Sequence, residues 1–131
     1  MTTTKSYKKI IAWQSAHMFA LKVYEISKLF PKEELYGITS QLRRAALSVP
    51  VNIVEGTARQ GQRELKNFLN IALGSLAEAE YLLEFCREIG YISLEEYDRL
   101  EELRSRTGLP LWKFHQSVSN NVRDAEGTKV T

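Results

Sequence analysis

Apolar residues recur in this chain at alternating steps of four and three positions, and no other feature constrains the fold as strongly. In the segment 41–56, which reads QLRRAALSVPVNIVEG, one apolar stripe keeps this rhythm on both sides of Pro50. Because an α-helix turns about 100° per residue, residues at these steps lie on one face. The unbroken phase predicts a single helix kinked at Pro50, although a proline inside a helix costs about 3 kcal/mol. The stripe consists of Leu42, Ala46, Val49, Ile53 and Gly56.

The same helix carries a second apolar stripe about 160° around its axis from the first. A helix with two apolar faces needs two neighbours to remove both faces from water. We therefore expect the first stripe to build the core of the subunit and the second to contact another copy of the chain. The second stripe consists of Leu47, Val51, Val54 and Ala58.

Three more segments show the same spacing, so the chain should contain four helices. The first starts near Ala12 and ends before Pro31, since the residue that precedes a proline avoids the α region. The third runs from about Gln62 to the turn at Gly90. The fourth begins near Leu94, behind a capping box formed by a serine and a glutamate three residues apart. The core stripe of the third helix holds Leu65, Leu69, Ala72, Leu76, Ala79, Leu83 and Cys86.

Four helices with short links predict an all-α fold, an up-down-up-down antiparallel four-helix bundle. We place the bundle at residues 10–118, with flexible tails at 1–9 and 119–131. The fourth helix contains Gly108 and Pro110, which are expected to kink or break it. The position of the residues after that point therefore depends on whether the helix breaks there.

Composition limits the class of protein. A chain of 131 residues can bury one core but not two. No run of apolar residues approaches the roughly 18–20 needed to cross a membrane, and the polar start does not resemble a secretion signal. Cys86 is the single cysteine, so no disulfide can form within the chain. These features predict a cytoplasmic protein.

Charge is divided unevenly along the chain. Residues 1–77 hold 11 Lys/Arg and 5 Asp/Glu, a net charge of +6, whereas residues 78–131 hold 7 and 11, a net charge of −4. A basic half could face the acidic half, within or between subunits, or an anionic partner. The candidate nucleic-acid-binding residues are basic side chains of the second and third helices, since arginine and lysine contact phosphate. They are Arg43, Arg44, Arg59, Arg63 and Lys66.

The alternative interpretation of these cations is a solvated surface, in which Arg59 and Arg63 pair with nearby acidic residues. A second candidate set consists of polar residues of the second and third helices. Ser75 and Glu78 interrupt an apolar stripe of the third helix, so we expect these two to be at least partly buried and hydrogen-bonded. A catalytic carboxylate pair is the weaker interpretation of this set. Its members are Asn52, Glu55, Ser75 and Glu78.

No other residues form a recognisable catalytic or metal-binding motif. His17 and His115 lie outside the spacings of zinc proteases and of ferritin-like iron sites. Cys86 falls on the core stripe and is expected to be a small buried side chain. The sequence therefore predicts neither an enzyme nor a cofactor.

Several motifs, in order and at consistent spacing over residues 11–93, resemble one known family. They are Trp13-Gln14-Ser15-Ala16, Phe30-Pro31-Lys32-Glu33, the 41–56 segment, FLNIALGSLAE from Phe68, and Gly90-Tyr91-Ile92. The chain resembles the bacterial four-helix-bundle proteins that are encoded in intervening sequences of 23S ribosomal RNA genes. That family is related to the accessory variability protein of diversity-generating retroelements.

The resemblance implies a ring-like homopentamer with no established enzymatic activity. It also implies a basic surface that partners nucleic acid, RNA or DNA, or a reverse transcriptase. The fourth helix of the family is long and continuous, and Gly108 and Pro110 depart from that pattern.

Two hypotheses about function remain open. In one, the assembly binds nucleic acid or a nucleic-acid enzyme through its basic residues. In the other, it is a purely structural protein–protein scaffold whose arginines serve subunit contacts.

Overall fold

Four α-helices make up most of the chain in the computed structural model, which describes the backbone of residues 3–130 and the side chains of residues 6–127. Two short 3₁₀ helices, Thr3–Lys9 and Lys32–Glu34, precede the first and second α-helix. No strand occurs within residues 3–130, so the all-α prediction is confirmed. The helices are α1 (Ile11–Ser27), α2 (Ile38–Ala58), α3 (Gln62–Glu88) and α4 (Leu94–Val130).

Each α-helix packs against two others, so the four close into a bundle. α1 contacts α2, α2 contacts α3, α3 contacts α4, and α4 contacts α1. Ser48 meets Ser75, and Gly56 meets Leu65, so residue numbers rise along α2 as they fall along α3. This is the contact pattern of antiparallel neighbours. The predicted four-helix bundle is confirmed.

The core consists of the stripes that the spacing predicts. Phe19, Val49, Ile53, Leu69 and Leu83 are fully buried, one or more from each of the first three helices. Burying a side chain of this size stabilises the fold by roughly 1.5–3 kcal/mol. The heptad spacing therefore identifies the inward face of α1, α2 and α3 correctly.

α2 continues through Pro50 as one helix, as its unbroken stripe predicts, whereas the kink itself stays a prediction. Gly56 closes the same stripe at the crossing with α3. A Cβ at this position would lie 2.9 Å from Leu65 Cδ1 and 3.0 Å from Phe68 Cβ. The absence of a side chain at Gly56 thus allows α3 to approach α2 closely.

α4 differs from the prediction, because the helix runs without a break through Gly108 and Pro110. Thr107 and Leu111, on either side of the pair, are fully buried. Thr107 also donates a hydrogen bond of 2.9 Å from its hydroxyl to the carbonyl of Leu103. Core contacts on both sides of the proline outweigh the local penalty, so the expected break was wrong, whereas a kink at this point stays a prediction.

Both ends of the chain carry regular structure where the sequence predicts tails. Residues 3–9 form a 3₁₀ helix, in which the Tyr7 ring meets the Trp13 ring edge to face at 4.9 Å. Gln14 also donates a hydrogen bond of 2.7 Å to the carbonyl of Lys8. At the other end α4 extends to Val130, and Val122 is buried. Residues 1, 2 and 131 of the predicted tails lie outside the described residues.

Within residues 3–130, no helix combines the length and the apolar character that crossing a membrane requires.

Candidate functional site

An exposed apolar groove runs between α1 and α2, and we call it the α1–α2 groove. Leu47 and Val51 from the second stripe of α2 line it and are 43% and 42% exposed. Tyr24 of α1 and Tyr36 of the loop between α1 and α2 line it as well, around a volume of about 590 Å³. Exposed apolar side chains rimmed by polar ones, here Ser40 and Arg44, are typical of a contact with another molecule.

The groove continues toward the N-terminal end of α1. A neighbouring cleft of about 370 Å³ shares Leu47 and Val51 and reaches Trp13 and His17. These two rings stack almost in parallel, with centroids 4.9 Å apart. Val54 is half-buried. Ala58, the last residue of the predicted second stripe, is exposed, and the expectation that this stripe meets another subunit stays a prediction.

Arg43 is held in place by α1. Its Nε donates a hydrogen bond of 2.7 Å to the hydroxyl of Ser27, and its guanidinium lies 4.9 Å from the centre of the Tyr24 ring. The side chain is half-buried. Arg43 therefore joins α2 to α1 in addition to adding charge at the groove.

Arg44 has a different environment from its neighbour in sequence. Its side chain is exposed and lies between the α1–α2 groove and a smaller cleft of about 210 Å³ that it shares with Ser75 and Glu78. It forms no hydrogen bond or ion pair with any residue whose side chain the structure describes. Its guanidinium donors are therefore available to an external anion.

The other three predicted cations lie at the opposite end of α2. Sixteen residues separate Arg43 from Arg59, which corresponds to about 24 Å along the helix. Arg59 pairs with Glu55 at 3.4 Å, and its guanidinium lies 5.0 Å from the centre of the Phe68 ring. The five predicted residues thus form two separate groups.

Arg63 and Lys66 belong to this second group. Arg63 pairs with Glu126 of α4, a contact that the sequence could not reveal because the two residues are 63 positions apart. Lys66 is half-buried near His115. Burial, and then the positive charge of Lys66, lower the pKa of His115. Of the second group, only Lys66 has no ion pair among the described residues.

The predicted polar set is partly assembled at the contact between α2 and α3. The hydroxyls of Ser48 and Ser75 share a hydrogen bond of 2.8 Å, and Asn52 Nδ2 donates to the Ser48 hydroxyl at 2.9 Å. Ser48 is a member that the sequence analysis missed. Its position four residues before Asn52, on the same face of α2, was the available signal. The set fastens α2 to α3, which is a structural role.

The two carboxylates of that set do not join it. Glu55 and Glu78 are both exposed, so the expectation of at least partial burial was wrong for Glu78. Ile71, Glu78 and Phe85 lie along one line of α3 that faces outward. α2 contacts α3 at Ser75 and leaves this line exposed. A catalytic carboxylate pair therefore has no support from the geometry.

Groups that could perform chemistry are dispersed over the molecule. No three His, Cys, Asp or Glu residues converge as a metal site in the part of the chain that the structure describes. Cys86 is fully buried, as predicted. Burial, followed by the negative charge of Glu34, raises the pKa of its thiol to about 11, so the reactive thiolate is disfavoured.

Comparisons with known proteins agree with the fold. The family model described as 23S rRNA-intervening sequence protein matches residues 8–109, more than three quarters of the chain. The structure is similar to a crystal structure of a protein with unknown function from the S23 ribosomal protein family of Bacteroides thetaiotaomicron VPI-5482. The TM-score is 0.75 and the sequence identity 25%, over 81% of this chain and 96% of that chain. A comparison with curated proteins gives no match. The chain belongs to the 23S rRNA-intervening sequence protein family.

Proposed function

We propose that the protein is a non-enzymatic homo-oligomer that binds nucleic acid, with Arg44 as the principal contact residue. The observation that carries this proposal is the exposed α1–α2 groove with the unpaired Arg44 at its edge. The groove provides a surface for assembly, and the arginine provides a cation that assembly would repeat in every subunit.

A second copy of the chain is the occupant that fits the α1–α2 groove. The groove lies in the basic half of the sequence, which has a net charge of +6, and the remainder has a net charge of −4. The acidic half also exposes large apolar side chains, Tyr81, Phe85 and Trp112. A contact between these two different surfaces is heterologous, and a heterologous contact closes into a ring when the rotation between neighbouring subunits divides a full turn. The family resemblance suggests five subunits.

Nucleic acid is the partner that suits a ring with Arg44 in each subunit. A guanidinium binds two phosphate oxygens at once, which a lysine cannot do with the same geometry. Repetition of Arg44 around a ring would produce a band of positive charge. Binding of this kind depends on phosphate contacts, so it should be insensitive to sequence and weakened by salt.

Fluorescence anisotropy with single-stranded RNA and DNA tests the nucleic-acid part. We expect the wild-type protein to bind at about 50 mM salt and to lose at least tenfold in affinity at about 300 mM. Arg44→Glu should lower the affinity at about 50 mM by tenfold or more. Arg99→Glu is the matched control, because Arg99 is also exposed but lies on α4 and pairs with Glu95. Absence of binding at low salt, or equal affinity of Arg44→Glu and wild type, would refute this part.

One observation favours a second candidate, the scaffold without nucleic-acid binding. Glu78 is exposed on the outer line of α3 between Ile71 and Phe85, so it could pair with Arg44 of a neighbouring subunit. In that case Arg44→Glu would dissociate the assembly, and Arg44→Glu combined with Glu78→Arg would restore it. Light scattering on both variants separates the candidates, since the nucleic-acid proposal expects the single variant to remain assembled.

A further inference from the structure

We propose that a cleft at the turn between α1 and α2 binds a phosphate group. The cleft has a volume of about 390 Å³ and lies where α1 ends and α2 begins, so we call it the turn cleft. Its lining includes Lys28, Lys32 and Arg43 together with Ser27 and Thr39, and no carboxylate. It adjoins the α1–α2 groove, with which it shares Leu35 and Arg43, but Arg44 does not line it.

Three cations surround the turn cleft, one arginine that is held in place and two exposed lysines. Arg43 is positioned before any ligand arrives, because its Nε is bonded to Ser27 at 2.7 Å and its guanidinium stacks on the Tyr24 ring. Its terminal N–H groups carry no hydrogen bond to a described residue. A fixed guanidinium loses little side-chain entropy when it binds an oxyanion, and the exposed Lys28 and Lys32 add mobile charge.

The first turn of α2 faces the same place without a cap. Gly37 precedes the helix and has no side chain to accept from the first N–H groups, and the first turn itself contains no acidic residue. The nearest carboxylate is that of Glu34, whose Oε1 lies 2.7 Å from where a Cβ on Gly37 would be. The helix dipole places partial positive charge here, which favours an anion and which the Glu34 carboxylate meets only in part. The carbonyls at the end of α1 oppose this effect little, because those of Glu25, Ile26 and Ser27 already accept N–H groups of the following loop.

A buried hydroxyl without a partner distinguishes the turn cleft from a merely basic surface. Thr39 is only 3% exposed, and its Oγ1 has no hydrogen-bond partner among the described residues. Buried polar atoms are nearly always paired, so an orphan hydroxyl beside a cleft indicates a missing acceptor. A phosphate oxygen is an acceptor that the surrounding cations would hold.

The nearest carboxylates are engaged elsewhere. Glu34 accepts a hydrogen bond of 2.7 Å from the hydroxyl of Tyr91, and Glu25 pairs with Lys22 at 3.5 Å. Neither contributes to the lining of the turn cleft. Lys28, Lys32 and Arg43 therefore form no ion pair within the described part of the chain.

Calorimetric titration of the full chain with inorganic phosphate, at constant ionic strength in chloride, tests the inference without any nucleic acid. We expect saturable binding with one site per chain. Thr39→Val keeps the shape and removes the hydroxyl, and Lys32→Gln removes one charge, so each should weaken binding by tenfold or more. Lys113→Gln, an exposed lysine on α4, is the matched control and should change the affinity by less than twofold.

Two results would overturn the inference. One is the absence of saturable phosphate binding by the wild-type chain. The other is an equal effect of Lys32→Gln and Lys113→Gln, which would indicate general charge attraction. Folding does not confound the test, because Thr39→Val removes an unsatisfied buried group and should melt in chloride at or above the wild-type temperature.

The phosphate group could be free or could end a polynucleotide, and a second arm separates these sources. Anisotropy compares one RNA with a 5′-phosphate and the same RNA with a 5′-hydroxyl. A preference of fivefold or more for the phosphate, lost in Lys32→Gln, assigns the turn cleft to a polynucleotide end. Equal affinities assign it to free phosphate or a small phosphate ester.

Discussion

Arg43 and Arg44 show how two identical adjacent side chains acquire different roles. A rotation of about 100° between them turns Arg43 toward Ser27 of α1 and leaves Arg44 at the edge of the groove. The sequence suggested both as phosphate contacts, because it cannot show which arginine a neighbouring helix already uses. Only Arg44 keeps all its donors for an external ligand.

The two glycines Gly56 and Gly74 should respond in opposite ways to the same substitution. Gly56→Ala should lower the free energy of unfolding by about 1–3 kcal/mol, because the new Cβ would press against Leu65 and Phe68 of α3. Gly74→Ala should raise it by about 0.5–1 kcal/mol, because Gly74 is mid-helix and no atom lies within 4 Å of the new Cβ. Urea unfolding measures both, and equal signs would contradict the described crossing of α2 and α3.

Cys86 should make stability depend on pH in the alkaline range. Its thiol pKa is raised by burial and then by Glu34, from 9.0 to about 11. Below pH 9 the thiol is protonated in both the folded and the unfolded chain, so its contribution to the free energy of unfolding is complete there. It is lost as the pH rises toward 11, where the unfolded chain gives up its proton first.

The free energy of unfolding should therefore fall between pH 9 and 11, and it should fall less steeply in Cys86→Ala. Tyr91 and Tyr97 also have raised pKa values, but both chains contain them, so the difference in slope isolates the thiol. Urea unfolding at four pH values gives the slopes. Parallel curves would show that the thiol has the same pKa in both states.

At the scale of the helices, the spacing of apolar residues predicted the existence and inward face of each element. Val49, Ile53 and Leu83 were assigned to the core and are fully buried. The capping box before α4 was also predicted correctly, since Ser93 and Glu96 exchange hydrogen bonds of 3.1 Å. These features depend on residues close together in sequence, which is why the sequence reveals them.

The continuity of α4 could not be predicted in this way. Proline and glycine signal a break locally, whereas the contacts that keep the helix intact come from distant residues packed around Thr107 and Leu111. The pairing of Arg63 with Glu126 depends on the same unexpected extension of α4. The prediction for the candidate site was therefore weakest where it depended on the last helix.

Pro110→Ala should stabilise the protein by about 1–2 kcal/mol. The substitution restores the N–H that an interior helix position uses and improves helix propensity, while the loss of ring contacts subtracts a smaller amount. Pro31→Ala is the control, because Pro31 lies in the loop before a 3₁₀ helix and has no such bond to regain. Thermal unfolding measures both. A lower melting temperature for Pro110→Ala would show that packing of the ring dominates.

For the whole molecule, the division between a basic and an acidic half gives the two ends of the sequence different surfaces. α1 and α2 present the groove, and α3 and α4 present the exposed Tyr81, Phe85 and Trp112. The sequence indicated the groove through the second stripe of α2, but its depth depends on Tyr24 and Tyr36. Those two residues became part of it only through the packing of α1 and its following loop.

Multi-angle light scattering tests the central claim that the α1–α2 groove is a subunit interface. The wild-type chain should have a mass of about five times 15.0 kDa. Val51→Glu places a charge in the groove and should reduce the mass to that of a single chain, whereas Val51→Ile should keep the assembly. Circular dichroism should show the same helix content in all three proteins. A wild-type mass near 15.0 kDa, or a fully assembled Val51→Glu, would contradict the account.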